Sequence, residues 1–519
     1  MKKILLMALG LLVTSTTMAG PVDAVRASKV AATAFRMYCL EQGTYDKTAD
    51  SALSWSTDQI YAEGIENLYL YNVYGFNANG RVEQGFVVVS GDDIATPVLA
   101  FSTEGTLPND LKGENPSAYY YLQRFGMQIA AAKKACMAAT PAIQQKWADL
   151  ENGVAITTAR TLMSAKGEYL DDNIPMLLGQ MKWGQSAPYN DRCPGGSVTG
   201  CVATAFGMIM NYWDYPEHGF GMHAYNGVDN PAAYPDWTYG EQYADYEHTY
   251  YDWDNMPDAA FINSRSEVKT AISTLLYHIG VSLDMHYTPD GSGCWSLPEY
   301  AMFDTSLHLY EKAYTIGADY RIPRHFGYKY SYAGMRDSIG DDSLWNYMLY
   351  TSLAEGKPIY YAGWAAANND VGHSGTSGHG YIIDGYFSDA IDTNYYHINW
   401  GWDGSANGFF KLDAMRPNGS DFTKWHGAII SVEPDTSYHG YDYTGIRPLV
   451  LDESTVYGCN GYISVRNAQG RHVAIFDVMG RLVSNSTPID KEWNVSVRPG
   501  FYVVKIGYTS APAKKVVVF

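Results

Sequence analysis

The pattern of hydrophobic and polar positions changes twice along the chain. Residues 28–42 repeat apolar side chains at helical spacing, and Ser28 is placed to cap the first turn, which predicts an amphipathic helix. Leu68 to Phe76 and Phe86 to Ser90 read as strands, joined through the turn cluster Asn77-Ala78-Asn79-Gly80. Pro97 to Ser102 reads as a third strand. Asn115-Pro116 pairs a capping residue with a proline at the first helical position. It predicts a long helix near 117–135, and a second helix follows Pro141. A small α+β unit therefore fills roughly 20–150. The weakly periodic stretch 151–175 reads as an exposed connector, the kind of segment proteases cut. From about 176 to 436 the chain is crowded with Trp, Tyr and Gly. It shows a clear helix start at Gly200-Cys201 and strands near 358–363, 379–386 and 395–400. Beyond about 440 come short strands at Val473 to Asp477, Arg481 to Ser484, Asn494 to Val497, Phe501 to Ile506 and Lys515 to Phe519. Met479-Gly480 and Arg498-Pro499-Gly500 punctuate them, which predicts a small β-sandwich.

The first residues change the compartment. Lys2 and Lys3 precede the apolar run Ile4 to Val13, and Thr17-Met18-Ala19 offers small residues before a cleavage point. This is the pattern of a secretory signal peptide over residues 1–19. The run is too short for the ~30 Å hydrocarbon core of a membrane, and no later run approaches the ~20 apolar residues of a spanning helix. The expectation is a secreted or cell-surface protein, exported in the bacterial manner.

Composition then removes classes of partner. The 519 residues carry 36 basic and 55 acidic side chains, a net charge of −19. That balance argues against nucleic acid, whose phosphates need clustered Lys and Arg. From 440 onward the count reverses to nine basic and six acidic residues, so the acidity lies upstream. The six cysteines, at 39, 136, 193, 201, 294 and 459, are scattered. They form neither a disulfide scaffold nor a zinc-type spacing.

Four short stretches carry candidate chemistry. In Thr199-Gly200-Cys201-Val202-Ala203-Thr204-Ala205, small residues surround a cysteine at a helix start, where unpaired N–H groups and the helix dipole favour thiolate. A small buried core cysteine is the competing reading. In Gly378-His379-Gly380-Tyr381-Ile382-Ile383-Asp384, glycines leave an imidazole accessible at the head of a buried strand. Such a base is what a thiol nucleophile needs nearby. His373 competes for that role but has no strand behind it. In His397-Ile398-Asn399-Trp400-Gly401-Trp402, Asn399 is able to orient an imidazole and Trp400 to shield that bond from water; an aromatic core strand is the alternative. In Trp183-Gly184-Gln185-Ser186-Ala187-Pro188-Tyr189-Asn190, the Gln185 amide is able to join the Cys201 N–H in holding an oxyanion, against the reading of an ordinary loop. Each stretch is weak alone. The order Gln, Cys, His, Asn lifts them, and papain-like proteases share it.

Those stretches, with Met210-Asn211-Tyr212-Trp213, Tyr215-Pro216, Val281-Ser282-Leu283-Asp284-Met285 and Gly408-Phe409-Phe410, resemble the streptopain family of secreted papain-like cysteine peptidases. The likeness spans roughly 176–433. Upstream, Gly85-Phe86-Val87-Val88-Val89-Ser90-Gly91-Asp92-Asp93 resembles the family's propeptide. Downstream, Val473-Ala474-Ile475-Phe476-Asp477 with Gly480-Arg481, and Pro499-Gly500-Phe501-Tyr502-Val503-Val504-Lys505, look like a sorting domain of type IX (Por) secretion. The resemblance implies Cys201 as nucleophile, His379 as general acid/base and Gln185 in the oxyanion hole. It leaves the orienting group between Asn399 and Trp400; Asn399 is favoured for the hydrogen bond and Trp400 as its cover. The loop from Asp284 to Trp295 would line the cleft. Cys294, Trp295 and Cys193 depart from the family pattern, and Cys294 is placed to alter specificity or to pair with another cysteine.

The expected architecture is α+β: a signal peptide (1–19), an inhibitory propeptide (20–165), a two-lobed papain-like peptidase domain (166–436) and a C-terminal β-sandwich (440–519). The expected activity is that of a thiol endopeptidase made as a zymogen, with no metal or organic cofactor. Its expected partners are protein or peptide substrates, its own propeptide as inhibitor, and secretion machinery through the C-terminal domain. A non-catalytic binding or inhibitor protein on the same fold is one rival. A cysteine-dependent amidase or transferase is another, because its nucleophile would be the same.

Overall fold

The computed structural model describes residues 20–42, 55–77, 80–155, 173–229, 236–297, 317–364, 378–391, 393–414, 426–438, 440, 454–459, 461–468, 473–477, 481–486, 492–506 and 514–518. The signal-peptide reading, His373, Met479-Gly480 and most of the connector lie outside these residues.

Helix α1 (Ala24–Glu41) begins one turn ahead of the expected start. Asp23 caps it, its carboxylate accepting the Arg26 N–H at 2.8 Å, so Ser28 falls inside the helix. The Ser28 hydroxyl meets Thr57 Oγ1 instead, at 3.2 Å. Strands β1 (Ser56–Ile60), β2 (Leu68–Asn77), β3 (Gly80–Ser90) and β4 (Val98–Ser102) follow in an antiparallel meander. β3 starts earlier than its apolar run, because Arg81, Val82 and Glu83 pair with Phe76, Gly75 and Tyr74. Helix α2 (Pro116–Lys134) starts where Asn115-Pro116 predicts, with the Asn115 side chain accepting the Ala118 N–H at 2.9 Å. Helix α3 (Pro141–Glu151) is capped by Thr140.

The central unit opens with helix α4 (Cys201–Trp213), the hairpin β5 (Met222–Asn226) and β6 (Glu241–Asp245), and helix α5 (Ser266–Ser282). After helix α6 (Ala318–Phe326) come β7 (Tyr332–Met335), α7 (Asp342–Ala354), β8 (Ile359–Trp364), β9 (Gly378–Ser388), β10 (Asn394–Asn399), β11 (Gly408–Phe410) and β12 (Gly427–Ile430). The helices α4 and α5 share one core with the inner face of β8 and β9. This gives a helical lobe and a sheet lobe, with the head of α4 between them.

The N-terminal unit and the sheet lobe are built on one sheet. Its ten strands run β1-β2-β3-β4-β11-β10-β9-β8-β12-β7. The joint is the pairing of β4 with β11, Phe101 against Phe409 and Ala100 against Phe410. Phe101 stacks on Tyr38 and Phe409 with ring centroids 3.7 and 5.2 Å apart, and meets Phe387 and Tyr395 edge-on. Such aromatic pairs contribute about 0.5–1.5 kcal/mol each beyond the area they bury. On one face, α1 and α3 pack Phe35, Tyr38 and Trp147 with Phe387 and Tyr395. On the other, α2 packs Tyr121, Phe125 and Ile129 with Tyr381, Trp400 and Phe410. The first unit thus grips the second from both faces of a shared sheet.

The last unit is a small β-sandwich, as its pattern predicts. A three-stranded sheet, β13 (Thr455–Cys459), β14 (Tyr462–Arg466) and β17 (Glu492–Ser496), faces a four-stranded one, β15 (Val473–Asp477), β16 (Leu482–Ser486), β18 (Gly500–Ile506) and β19 (Lys514–Val518). Ile463, Val465, Ile475, Val504 and Val516 fill the space between them. Among the described residues no helix is long and apolar enough to cross a membrane.

Candidate active site

Cys201 is the first residue of α4, the position the sequence predicts. Gly200 before it has φ +88°, which only glycine adopts without strain. A Cβ at Gly200 would also lie 2.8 Å from the Met285 side chain and 3.1 Å from the Ser292 carbonyl oxygen. The thiol accepts the Gly380 N–H at 3.3 Å. Burial pushes the Cys201 thiol up from its ordinary pKa, and N–H groups of Gly380, Val202 and Cys201 itself pull the other way. Burial wins.

Gln185 reaches the same corner through its backbone, whose carbonyl accepts the Thr199 N–H at 3.1 Å. Thr199 is fixed in turn by a 2.7 Å hydroxyl bond to Thr204 in the first turns of α4. The Gln185 side-chain amide nitrogen is buried without a hydrogen-bond partner. An unpartnered buried donor costs about 1–3 kcal/mol, so it marks a place where structure is spent on something other than stability.

His379 enters on β9, one residue before the Gly380 N–H that meets the thiol. Its Nε2 is also buried without a partner. Burial pulls the imidazole down to about 4, so it is neutral near pH 7. Tyr120, on α2 of the N-terminal unit, lies over this ring with centroids 6.1 Å apart and planes 21° from parallel. The resting pair is therefore thiol and neutral imidazole, both desolvated.

Asn399 and Trp400 sit at the end of β10, fully buried. The Asn399 Nδ2 donates to the Met181 carbonyl at 2.8 Å, and its Oδ1 accepts the Gly401 N–H at 3.1 Å. Trp400 donates through Nε1 to the Ala406 carbonyl at 2.9 Å and packs edge-on against Tyr121 and Phe410. Cys201 and His379 are thus brought together, and Gln185 is tied to the segment leading into Cys201. Asn399 and Trp400 bond to Met181, Gly401 and Ala406. His397 of the same stretch is held by Asp384, Nδ1 to Oδ1 at 2.5 Å, and Asp384 also accepts the Leu178 N–H.

Sequence reasoning passed over the face of α2 that lies on this site. Beside Tyr120, Tyr121 donates to the Lys411 carbonyl at 2.8 Å. Arg124 is buried, donating to the Leu412 carbonyl at 2.5 Å and meeting His426 Nδ1 at 3.1 Å. Gln128 bonds Asp413 and the Ala414 N–H. The only local signal was the run Tyr119-Tyr120-Tyr121 with Arg124 on one predicted helix.

Three stretches of the chain match known families. Residues 183–410 match the model of the Peptidase C10 family, and residues 19–129 match that of the Spi protease inhibitor. The chain is a cysteine peptidase, similar over residues 183–410 to the C10 family. Streptopain of Streptococcus pyogenes is 27% identical over 383 residues, covering 71% of this chain and 81% of its own. The thiol protease/hemagglutinin PrtT of Porphyromonas gingivalis is 28% identical over 425 residues, covering 79% of this chain and 41% of its own. Among solved structures, a prointerpain A fragment of Prevotella intermedia is 24% identical with a TM-score of 0.49, covering 74% of this chain and all of that one. Active interpain A is 29% identical with a TM-score of 0.38, covering 51% of this chain and 95% of that one. The peptidase is made as a zymogen; the stretch similar to the Spi inhibitor holds α1, β1–β4 and most of α2, and α2 lays Tyr120 over His379. Residues 448–518 match a domain of unknown function, so the sandwich carries no sorting assignment. None of Cys39, Cys136, Cys193, Cys201 and Cys294 is in a disulfide.

Proposed function

We propose that Cys201 is the nucleophile of this zymogen and His379 its general acid/base, with Gln185 and the Cys201 N–H holding the oxyanion. In the released enzyme the thiol proton passes to His379, and the thiolate attacks a peptide carbonyl. The two donors hold the oxygen of the tetrahedral intermediate, and His379 gives its proton to the leaving amine. Water, deprotonated by His379, then frees the acyl group and restores the thiol. The observation that supports this most is the Gly380 N–H on the Cys201 sulfur, which puts the His379 strand against the head of α4. The unpartnered Gln185 donor supports the oxyanion role.

In this reading Asn399 orients the imidazole once Tyr120 has left. Its Oδ1 accepts one N–H now, and a carbonyl oxygen has room for a second. Trp400, at 1% exposure, keeps water from that bond. The proposed boundaries are a signal peptide at 1–19, an inhibitory propeptide at 20–165, the peptidase at 166–436 and the sandwich at 440–519. Export follows from the signal peptide. Passage through type IX machinery is the proposed task of the sandwich.

The test is to incubate the full-length chain and its Cys201→Ala variant alone and follow them by mass spectrometry. Loss of the first ~165 residues from the wild type alone supports Cys201 and autocatalytic maturation. Trimmed wild type that neither cleaves casein nor takes up an epoxide thiol inhibitor contradicts the peptidase assignment of these residues.

A further inference from the structure

Asp284 follows helix α5 with φ +49°, a left-handed conformation that an aspartate rarely adopts. Its carboxylate is held from two sides. His223 on β5 meets Oδ1 at 2.5 Å, and Arg321 on α6 donates to Oδ2 at 3.2 Å. Arg321 also approaches the His223 ring at 3.2 Å, so three segments distant in sequence close on one carboxylate. All three side chains are mostly buried, so little water competes for the carboxylate oxygens and removing a partner would leave them poorly satisfied.

What this knot fixes is the next residue. Met285 is fully buried, its carbonyl accepts the Tyr225 hydroxyl at 2.6 Å, and its side chain occupies the space beside Gly200. From Met285 the chain turns back through a bridge between His286 and Gly293. This hairpin braces the segment leading into Cys201. The Ser292 hydroxyl donates to the Val198 carbonyl at 2.6 Å, and the Val198 N–H reaches the Thr288 carbonyl at 3.3 Å. Thr199, next in line, holds Gln185.

We propose that Asp284, clamped by His223 and Arg321, is a positioning residue that sets the oxyanion site by holding the 285–293 hairpin against residues 198–200. This rests on the proposed roles of Cys201 and Gln185. The clamp touches no reacting atom. It acts on the register between the Cys201 N–H and the Gln185 amide, and small displacements at that point are costly to the transition state.

The test separates backbone from carboxylate in the processed enzyme. Asp284→Gly relieves the left-handed backbone and removes the clamp; Asp284→Asn tolerates the same backbone and keeps one acceptor. The expected result for Asp284→Gly is a kcat about tenfold lower for peptide hydrolysis with KM within twofold. Alkylation of Cys201 by iodoacetamide, which forms no oxyanion, should proceed at the wild-type rate. Asp284→Asn should recover part of kcat. Arg321→Met, which leaves the Asp284 backbone alone, should lower kcat in the same direction and serves if the Asp284 variants do not fold. Wild-type kcat in Asp284→Gly, or equal losses in kcat and alkylation, overturns the clamp. If alkylating Cys201 in the wild type leaves hydrolysis intact, it is the nucleophile reading that fails.

Discussion

Cys201 and His379 are joined through one hydrogen bond, from the Gly380 N–H to the sulfur, yet their surroundings differ. The Cys201 side belongs to the peptidase domain alone: α4, the 285–293 hairpin and the Gln185 loop are tied together by peptidase residues. The His379 side is finished by the propeptide, with Tyr120 on the imidazole and Tyr121 on Trp400. In the proposed roles, the nucleophile's scaffold stands ready, and latency is written on the base. On this proposal the enzyme has to shed the whole N-terminal unit, its β4 pairing and both helical layers, with no rebuilding of the Cys201 corner.

Several changes break or sharpen that contrast. Cys201→Ala should abolish hydrolysis, a loss on the order of 10⁵-fold or more, without changing the thermal midpoint of the zymogen by more than a few degrees. Gln185→Ala should lower kcat by about 10²–10³-fold in the processed enzyme. Because its amide nitrogen has no partner in the latent form, the same variant should leave zymogen stability unchanged or slightly raised, as a melting curve would show. Tyr120→Ala acts on the other side. It should speed self-processing about tenfold, read by gel or mass spectrometry, while processed enzyme from the two zymogens has identical kinetics.

The smallest effect concerns a second contact of the propeptide, on the opposite face of the sheet. Glu41, at the end of α1, accepts the Ala390 N–H at 2.7 Å, and the neighbouring Asp389 accepts those of Ile391 and Thr393. Each carboxyl keeps one buried oxygen without a partner. Burial first, and the other carboxyl second, push Glu41 up to about 9; burial pushes Asp389 up to about 7, with Lys146 and Lys411 opposing. Docked Glu41 thus holds a proton that a free glutamate has released by about pH 4.5. Docking should weaken as pH rises toward 9. His379 works in the other direction. Its depressed pKa means that docking weakens as pH falls from 6.5 toward 4. In a Cys201→Ala background, Glu41→Gln should flatten the alkaline arm of connector cleavage by an added protease, and leave the acid arm unchanged.

Much of the fold was legible because its signals were local. Asn115-Pro116 starts α2 and Gly200-Cys201 starts α4, as their capping chemistry requires. Asp23 displaced Ser28 as a cap because a carboxylate one turn earlier was free to take the Arg26 N–H. The shared sheet was not legible. Pairing Phe101 with Phe409 joins positions 308 residues apart (409 − 101), and nothing in either strand's pattern names its partner. The site divides the same way. Cys201, His379 and Gln185 announced themselves by neighbouring small residues and order, whereas Tyr120 and Arg124 looked like any helix face. The sequence predicts Asn399 as the orienting group of the imidazole, and in the latent form Asn399 bonds Met181 and Gly401.

The most direct measurement is the rate of Cys201 alkylation by iodoacetamide against pH, with the modified residue located by mass spectrometry, in freshly purified full-length chain and in processed enzyme. With the imidazole neutral under Tyr120 and the thiol raised by burial, the full-length chain should react only as pH climbs past the ordinary thiol range. The processed enzyme should already react on a plateau below pH 7, as a thiolate–imidazolium pair does. The same acid plateau in the full-length chain would contradict a latency that rests on His379.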